Sequence, residues 1–320
     1  MYIRFAHAGC LLAALSSAAA FAQQSSSVTL YGRVNTTVES QKSGGDRVSA
    51  LQNNASRWGI LGKEDLGAGM KAFFKLESGF DSSTGTTVGG FNRDAYVGLE
   101  GGFGRVRLGY ITNIVYLAGA DYVSLHNHDT GTSADALFAF NVSFGSRPNT
   151  VTYSTPEYKG LRAEVSYSFK EDRPSNAANA VVEYKIGDLA LGAGFSHSGD
   201  NKLGLVRALY SAGPFTFGGY FERDSFNGAM RNNVRLAGMY ALGASEFHLN
   251  VGHAGNRGGI TGTSATQATL AYNYNLSRRT KLYAFYTRLS NQKAADYAAF
   301  SSVRPGQSQS SIALGIRHNF

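Results

Sequence analysis

Cysteine is nearly absent from this sequence: Cys10 is the single thiol, and it falls in an N-terminal segment with the layout of an export leader. An exported chain without that segment has no disulfide to lean on, so its stability must come from elsewhere. Long apolar runs are missing too. The longest sits in "MYIRFAHAGCLLAALSSAAAFAQ" and is shorter than the roughly 20 residues a helix needs to cross a bilayer. No segment sustains a 3.6-residue apolar period, which argues against a helical protein. No run of basic residues resembles a nucleic-acid-binding segment, and no "GxSxG" element supports a serine hydrolase.

What is present begins with that leader. Arg4, then an apolar stretch rich in Leu and Ala, then Ala20 and Ala22 bracketing Phe21, follow the order of a secretory signal peptide. Cleavage after Ala22 makes residues 1–22 the signal and 23–320 one domain. Arg4 is the one charged residue removed, leaving 29 basic against 22 acidic residues. That surplus is distributed along the chain, and with export it points to anionic solutes or an anionic surface rather than to nucleic acid.

Glycine at 39 residues, with 18 Tyr, 20 Phe and five Pro, suits many strands, tight turns and aromatic belts. The strands announce themselves by alternation. In "SVTLYGRVNTTVESQ", Val28, Leu30, Gly32, Val34 and Val38 share one parity, and Thr29, Tyr31, Arg33, Asn35 and Thr37 the other. In "GLRAEVSYSFK", Leu161, Ala163, Val165, Tyr167 and Phe169 oppose Arg162, Glu164, Ser166, Ser168 and Lys170. The last residues repeat the pattern, Ile312, Leu314 and Ile316 alternating up to the terminal Phe320, although chain ends usually fray. A period of two marks a strand with one apolar and one polar face.

Short connections such as "EDLGAG", "GGFG", "IGD" and "SAGP" take turns with longer ones such as "KSGGDRVSALQNN", "GFDSSTGTTVGG" and "KAADYAAFSSVRPGQ"; the longest runs from about Ile111 to Arg147. Counted this way the chain holds about 16 strands, each of the roughly 9 to 11 residues that cross hydrocarbon. An even number puts both chain ends on the short-turn rim, where the first and last strands can pair and leave no open edge. A soluble barrel burying its apolar parity in a dry core closes at about eight strands. The expected fold is an all-β, 16-stranded antiparallel transmembrane barrel with a polar, water-filled lumen.

The stretches "SRWGILGKEDLGAGMKAFFKLESGF" and "NRDAYVGLEGGFGRVRLGY", supported by "VTLYGRV", "SRPNTVTYSTPEYKGLRAEVSY" and "LGIRHNF", resemble the general diffusion porins of Gram-negative outer membranes, in particular the β-proteobacterial type. The resemblance implies an outer-membrane homotrimer without cofactor, passing small hydrophilic solutes and anions. Its third external loop folds inward. Implied partners are outer-membrane lipid and lipopolysaccharide, and the barrel assembly machinery, for which Phe320 is the signal. The basic wall of the constriction carries over onto Arg33, Arg57, Arg93 and Arg147. Arg105, Arg107 and Arg162 fit better as hydrated rim residues. The family's Pro-Glu-Phe signature is absent from the inward loop, so the acidic partner is assigned to Asp121, with Asp129 and Asp135 as alternatives. Fewer loop acids facing four arginines favour anions.

Two other function classes fit an exported barrel: an outer-membrane enzyme such as a lipase or protease, and an adhesin acting through its loops. "HNHD", with His126, His128 and Asp129, lacks the third and fourth placed ligands of a strong metal site.

Overall fold

A computed structural model describes residues 26–87, 89–126, 131–139, 146–171 and 173–320. The proposed signal peptide lies outside them. Seventeen strand segments follow one another: β1 Ser26–Ser43, β2 Asp46–Asn53, β3 Arg57–Gly67, β4 Met70–Gly79, β5 Ala95–Gly101, β6 Gly104–Thr112, β7 Ser146–Ser154, β8 Leu161–Ser168, β9 Ala177–Ile186, β10 Leu189–Ser198, β11 Asn201–Ala212, β12 Phe215–Phe226, β13 Ala229–Leu242, β14 Ser245–Ala254, β15 Ala265–Asn275, β16 Thr280–Asn291 and β17 Gln309–Asn319. From β4 to β17 each pairs antiparallel with its predecessor, and β1 closes the ring on β17 from Arg33↔Asn319 to Ser43↔Gln309. The other edge of β1 pairs with β2 from Thr36 to Ser43 and with β3 from Ser26 to Arg33. β2 and β3 are therefore one barrel strand, and the barrel has sixteen.

The break in that strand has a local cause. Ala55 takes a positive φ of 54°, and the side chains around it turn into a buried polar knot. Asn54 donates to Thr37 Oγ1 at 2.9 Å and to the Tyr283 hydroxyl at 3.2 Å, while Asn35 N–H donates to Ser56 Oγ at 3.0 Å. One correction to the expected connections follows. "KSGGDRVSALQNN" is no loose loop but an ordered hairpin turning at Gly44 and Gly45, with Ser43 opposite Asp46.

Alternation sorts the faces as the period of two requires, but inside out relative to a soluble barrel. Leu314 is 67% exposed and Leu236 65%, whereas Asn250 and Gln267, on the opposite parity, are fully buried. Leaving a Leu or Val side chain in water forgoes about 1.5–3 kcal/mol, so a belt of such residues demands hydrocarbon. Closure pairs each of the sixteen barrel strands on both sides, with β2 paired to β1 alone, and such closure is the condition for a β-structure to cross a bilayer. Among the described residues, no helix is long and apolar enough to do so.

At the short-turn rim, two-residue hairpins use Gly187 (φ 55°) and Gly213 (φ 56°), where the left-handed backbone matches the twist of the flanking strands. The opposite rim mixes such hairpins, at Asn227–Gly228 for example, with the longer connections after β4, β6, β14 and β16.

Candidate functional site

The inner faces of β16, β17, β1, β3 and β4 gather cations. Register does this: Lys281 lies directly opposite Arg317, and Arg33 directly opposite Arg57. Like charges facing each other across strands repel, and the wall relieves the repulsion with acids placed between them. Glu77 on β4, 4% exposed, is the focus. It meets Arg57 at 3.7 Å, Lys75 at 3.5 Å and Arg93, and it accepts the Tyr31 hydroxyl at 2.7 Å. Lys75 also reaches Asp94 at 2.7 Å, and Asp94 accepts the Thr112 amide at 2.9 Å. Arg33 Nε donates to Asn319 at 3.0 Å, and Lys281 reaches Glu246 at 3.4 Å. Among the described residues six cations, Arg33, Arg57, Lys75, Arg93, Lys281 and Arg317, thus stand on this stretch of wall with four acids, Glu39, Glu77, Asp94 and Glu246.

The long connection after β6 packs against inner-face side chains from β9 round to β16, and its Gly131 lies against Asn54, between β2 and β3. Asn113 caps its first turn, accepting from the amides of Val115 at 2.8 Å and Tyr116 at 3.3 Å. Ile114, Val115, Ala118 and Val123 then bury against Val181, Leu203 and Leu205. Those three are apolar residues on inward positions. β11 reads as apolar on both faces because this segment covers it, a signal in "KLGLV" that parity analysis alone passes over. Close approach also needs small residues: a Cβ on Gly119 would lie 2.5 Å from Leu205.

The returning segment is held by Asp135, 2% exposed. It pairs with Arg235 on β13 at 2.5 Å, accepts the Tyr220 hydroxyl, and takes the amides of Leu137 at 2.9 Å and Phe138 at 3.1 Å. Around it Asn233 donates to Leu137 O at 3.0 Å, Gln267 to Ala134 O at 2.8 Å, and the Ala139 amide to Glu222 at 3.1 Å. His126 Nδ1–H donates to Asn273 Oδ1 at 2.9 Å, and the ring packs against His248, Tyr283 and Phe285. Burial, with His248 beside it, pushes its pKa down to about 3, so the ring is neutral.

Of the four arginines assigned from sequence, Arg57 and Arg93 meet at Glu77, and Arg33 stands directly opposite Arg57. Arg147 stands outside that group, half-buried at the start of β7 opposite Ile111. Asp121 closes a π-helical turn, Leu117–Asp121, and Asp129 lies outside the described residues, as does His128. Asp135 anchors the segment rather than facing the basic wall. The acid that gathers Arg57 and Arg93 is Glu77, in the wall itself. Sequence reasoning missed it, together with Lys75, Lys281 and Arg317, although Arg317 stands in the polar parity of "LGIRHNF".

Nearer the short-turn rim a second charged cavity of about 530 Å³ is lined by Lys71, Arg105, Arg107, Arg162, Glu100 and Glu164. Arg105 pairs with Glu100 at 2.6 Å, Arg107 with Glu164, and Arg162 with Glu183 at 2.5 Å.

The terminus is pinned on the same rim. Phe320 exchanges backbone hydrogen bonds with Gly32 at 3.0 and 3.1 Å. Its ring lies over Gly32, where a Cβ would come within 2.3 Å of Cζ. The alternation therefore runs to the last residue because the last residue is paired.

The chain matches a family described as Gram-negative porin over residues 9–294. It is 30% identical over 349 residues to outer membrane porin protein 32 of Delftia acidovorans, covering 95% of this chain and 97% of that protein. Among solved structures it is similar to an anion-selective porin from Comamonas acidovorans, with a TM-score of 0.81, 26% identity, and coverage of 92% of this chain and 100% of that one. A trimer form of OmpT from Vibrio cholerae shares the fold at a TM-score of 0.70 and 16% identity, covering 92% and 100% of the two chains.

Proposed function

The chain belongs to the Gram-negative porin family and is a passive outer-membrane channel, and from that premise we propose that it works as a homotrimer, without catalysis, that prefers anions. The observation that carries the preference is the surplus of cations among the described residues of one inner wall, six against four acids. Arginine stays charged at any working pH. In a narrow, wet passage such charges raise the local concentration of anions and lower that of cations. The segment after β6, packed on the inner faces of β9 to β16, narrows the passage beside this wall. The similar porin from Comamonas acidovorans is anion-selective, which supports the same sign.

Purified protein in planar bilayers is expected to insert in conductance steps of three equal sublevels, with a reversal potential in a salt gradient signed for anions and growing as salt is lowered, because screening lengthens from about 8 to about 30 Å between 0.15 and 0.01 M. Single, ungrouped steps would remove the trimer; a cation-signed potential would remove the preference.

The pinned Phe320 serves, in this reading, as the signal by which the assembly machinery recognises the barrel. A terminal aromatic at the membrane interface suits that role. Deleting it is expected to lower the amount of folded protein in outer-membrane fractions while export across the inner membrane continues. Normal assembly of the deleted chain would exclude the role.

A further inference from the structure

The charged cavity of about 530 Å³ near the short-turn rim contains a cation that the wall does not neutralise. Lys71 on β4 stands directly opposite Glu100 on β5. That carboxylate is already taken, by Lys63 at 2.5 Å and by Arg105 at 2.6 Å. Among the described residues the Lys71 ammonium has no hydrogen-bond or ion-pair partner.

The arginines beside it are placed differently. Arg105 donates from Nε and Nη2 to Glu100, and Arg107 donates from Nε to Thr152 at 3.0 Å and from Nη2 to Glu164. Those edges are turned to the wall. Each guanidinium also lies over a ring, Arg105 at 5.1 Å from the centre of Phe73 and Arg107 at 5.3 Å from the centre of Tyr96. Register sets this up. Phe73 and Arg107 flank Gly98 on the inner face, and a Cβ on Gly98 would come within 2.4 Å of Phe73 Cζ, so the ring lies down over the glycine. Tyr96 meets Phe73 edge to face at 6.2 Å and completes the backing. The inward segment adds Leu117, the first residue of its π-helical turn, to the lining of the cavity; its side chain is 37% exposed.

The cavity therefore offers one uncommitted ammonium, two guanidinium groups backed by rings, and one exposed aliphatic side chain. A guanidinium stacks on aromatic faces, whereas an ammonium acts as a point charge for a carboxylate. One free point charge beside flat cationic surfaces suits a solute with one carboxylate and one ring. The volume lies within the range of small-molecule sites. We propose that this cavity retains aromatic monocarboxylates on the periplasmic side of the basic wall, the ring between Leu117 and the guanidinium groups of Arg105 and Arg107, the carboxylate on Lys71. The proposal rests on the channel reading for the route by which the solute arrives, not for the binding itself.

The test is equilibrium dialysis of labelled benzoate against the intact, detergent-solubilised protein at low salt, where screening is weak, with detergent alone as the blank. Benzoate-induced current noise in planar bilayers gives a second reading, and chloride steps in each variant report that the barrel has assembled. Benzoate is expected to bind about tenfold more tightly than acetate. Lys71→Gln is expected to weaken benzoate about tenfold and Leu117→Ala about threefold. Undiminished benzoate binding in either variant overturns the proposal. Acetate binding equal to that of benzoate overturns it in favour of plain attraction of anions by the wall. Equal binding of cyclohexanecarboxylate overturns the stacked ring in favour of any apolar acid. If the wild type failed to conduct while benzoate still bound through Lys71 and Leu117, the channel reading would fall and this one would stand; conductance without benzoate retention would do the reverse.

Discussion

Replacing Arg33 and Arg57 together by Glu is expected to reverse the sign of the reversal potential in a salt gradient. The two face each other across β1 and β3, so the change converts six cations against four acids into four against six on this stretch of wall. A solute in the passage lies within the roughly 8–10 Å over which these charges are felt at ordinary salt, so selectivity follows the local sum. The barrel should still assemble: both side chains face the lumen, and Glu77 keeps Lys75 at 3.5 Å and its contact with Arg93. Replacement of both by Gln should reduce the preference without inverting it. An unchanged potential in the Glu pair would mean that this wall does not line the passage.

The second large effect belongs to Asp135. Changing it to Ala strands Arg235, which is 1% exposed, and leaves the Tyr220 hydroxyl and the amides of Leu137 and Phe138 without their acceptor. Removing one partner of a buried ion pair costs about 3–5 kcal/mol. Because that energy holds the returning segment against β12 and β13 rather than the strand ladders, the loss should appear first as a noisier and larger single-channel current. A lower denaturation midpoint should accompany it. Asp135→Asn with Arg235→Gln keeps the hydrogen-bonding shape without the charges and should recover much of both, since a pair removed together leaves no orphaned charge. Quiet, wild-type currents from Asp135→Ala would show that the segment is seated by its apolar contacts alone.

Alternation in "SVTLYGRVNTTVESQ" and "SSIALGIRHNF" is a property of neighbours in the chain. It suffices to say which side chains face lipid and which face water, how many strands there are, and that both ends share the short-turn rim. Inward placement of Arg33 and Arg57 follows from the same parity. The resemblance carried by "SRWGILGKEDLGAGMKAFFKLESGF" supplied the family and the idea of a basic wall; of its four arginines, Arg57 and Arg93 contact Glu77 and Arg33 stands opposite Arg57. Connections were less legible. Gly44 and Gly45 look like a loop in sequence, but they close a hairpin because β1 is long enough to pair with β2 above the level at which it pairs with β3.

Register and the course of the long segment after β6 were decided only by the tertiary structure. Which cation stands opposite which depends on how strands far apart in sequence align: Lys281 opposite Arg317, and Arg317 opposite Asn35 across the closure of the ring. A slip of one residue would turn these side chains to lipid, yet no local pattern records the partner. The same holds for the acids. Asp121, Asp129 and Asp135 are alike in sequence, each a carboxylate in the long connection after β6. Asp135 meets Arg235 and Tyr220, because the packing of Ile114, Val115 and Leu137 brings that part of the chain to β12 and β13. Glu77 gathers the arginines because β4 runs beside β3, so the wall neutralises part of its own charge. Side-chain period is a local quantity and the sequence displays it; pairing of charges across the barrel is a distance in space, and only the closed ring sets it.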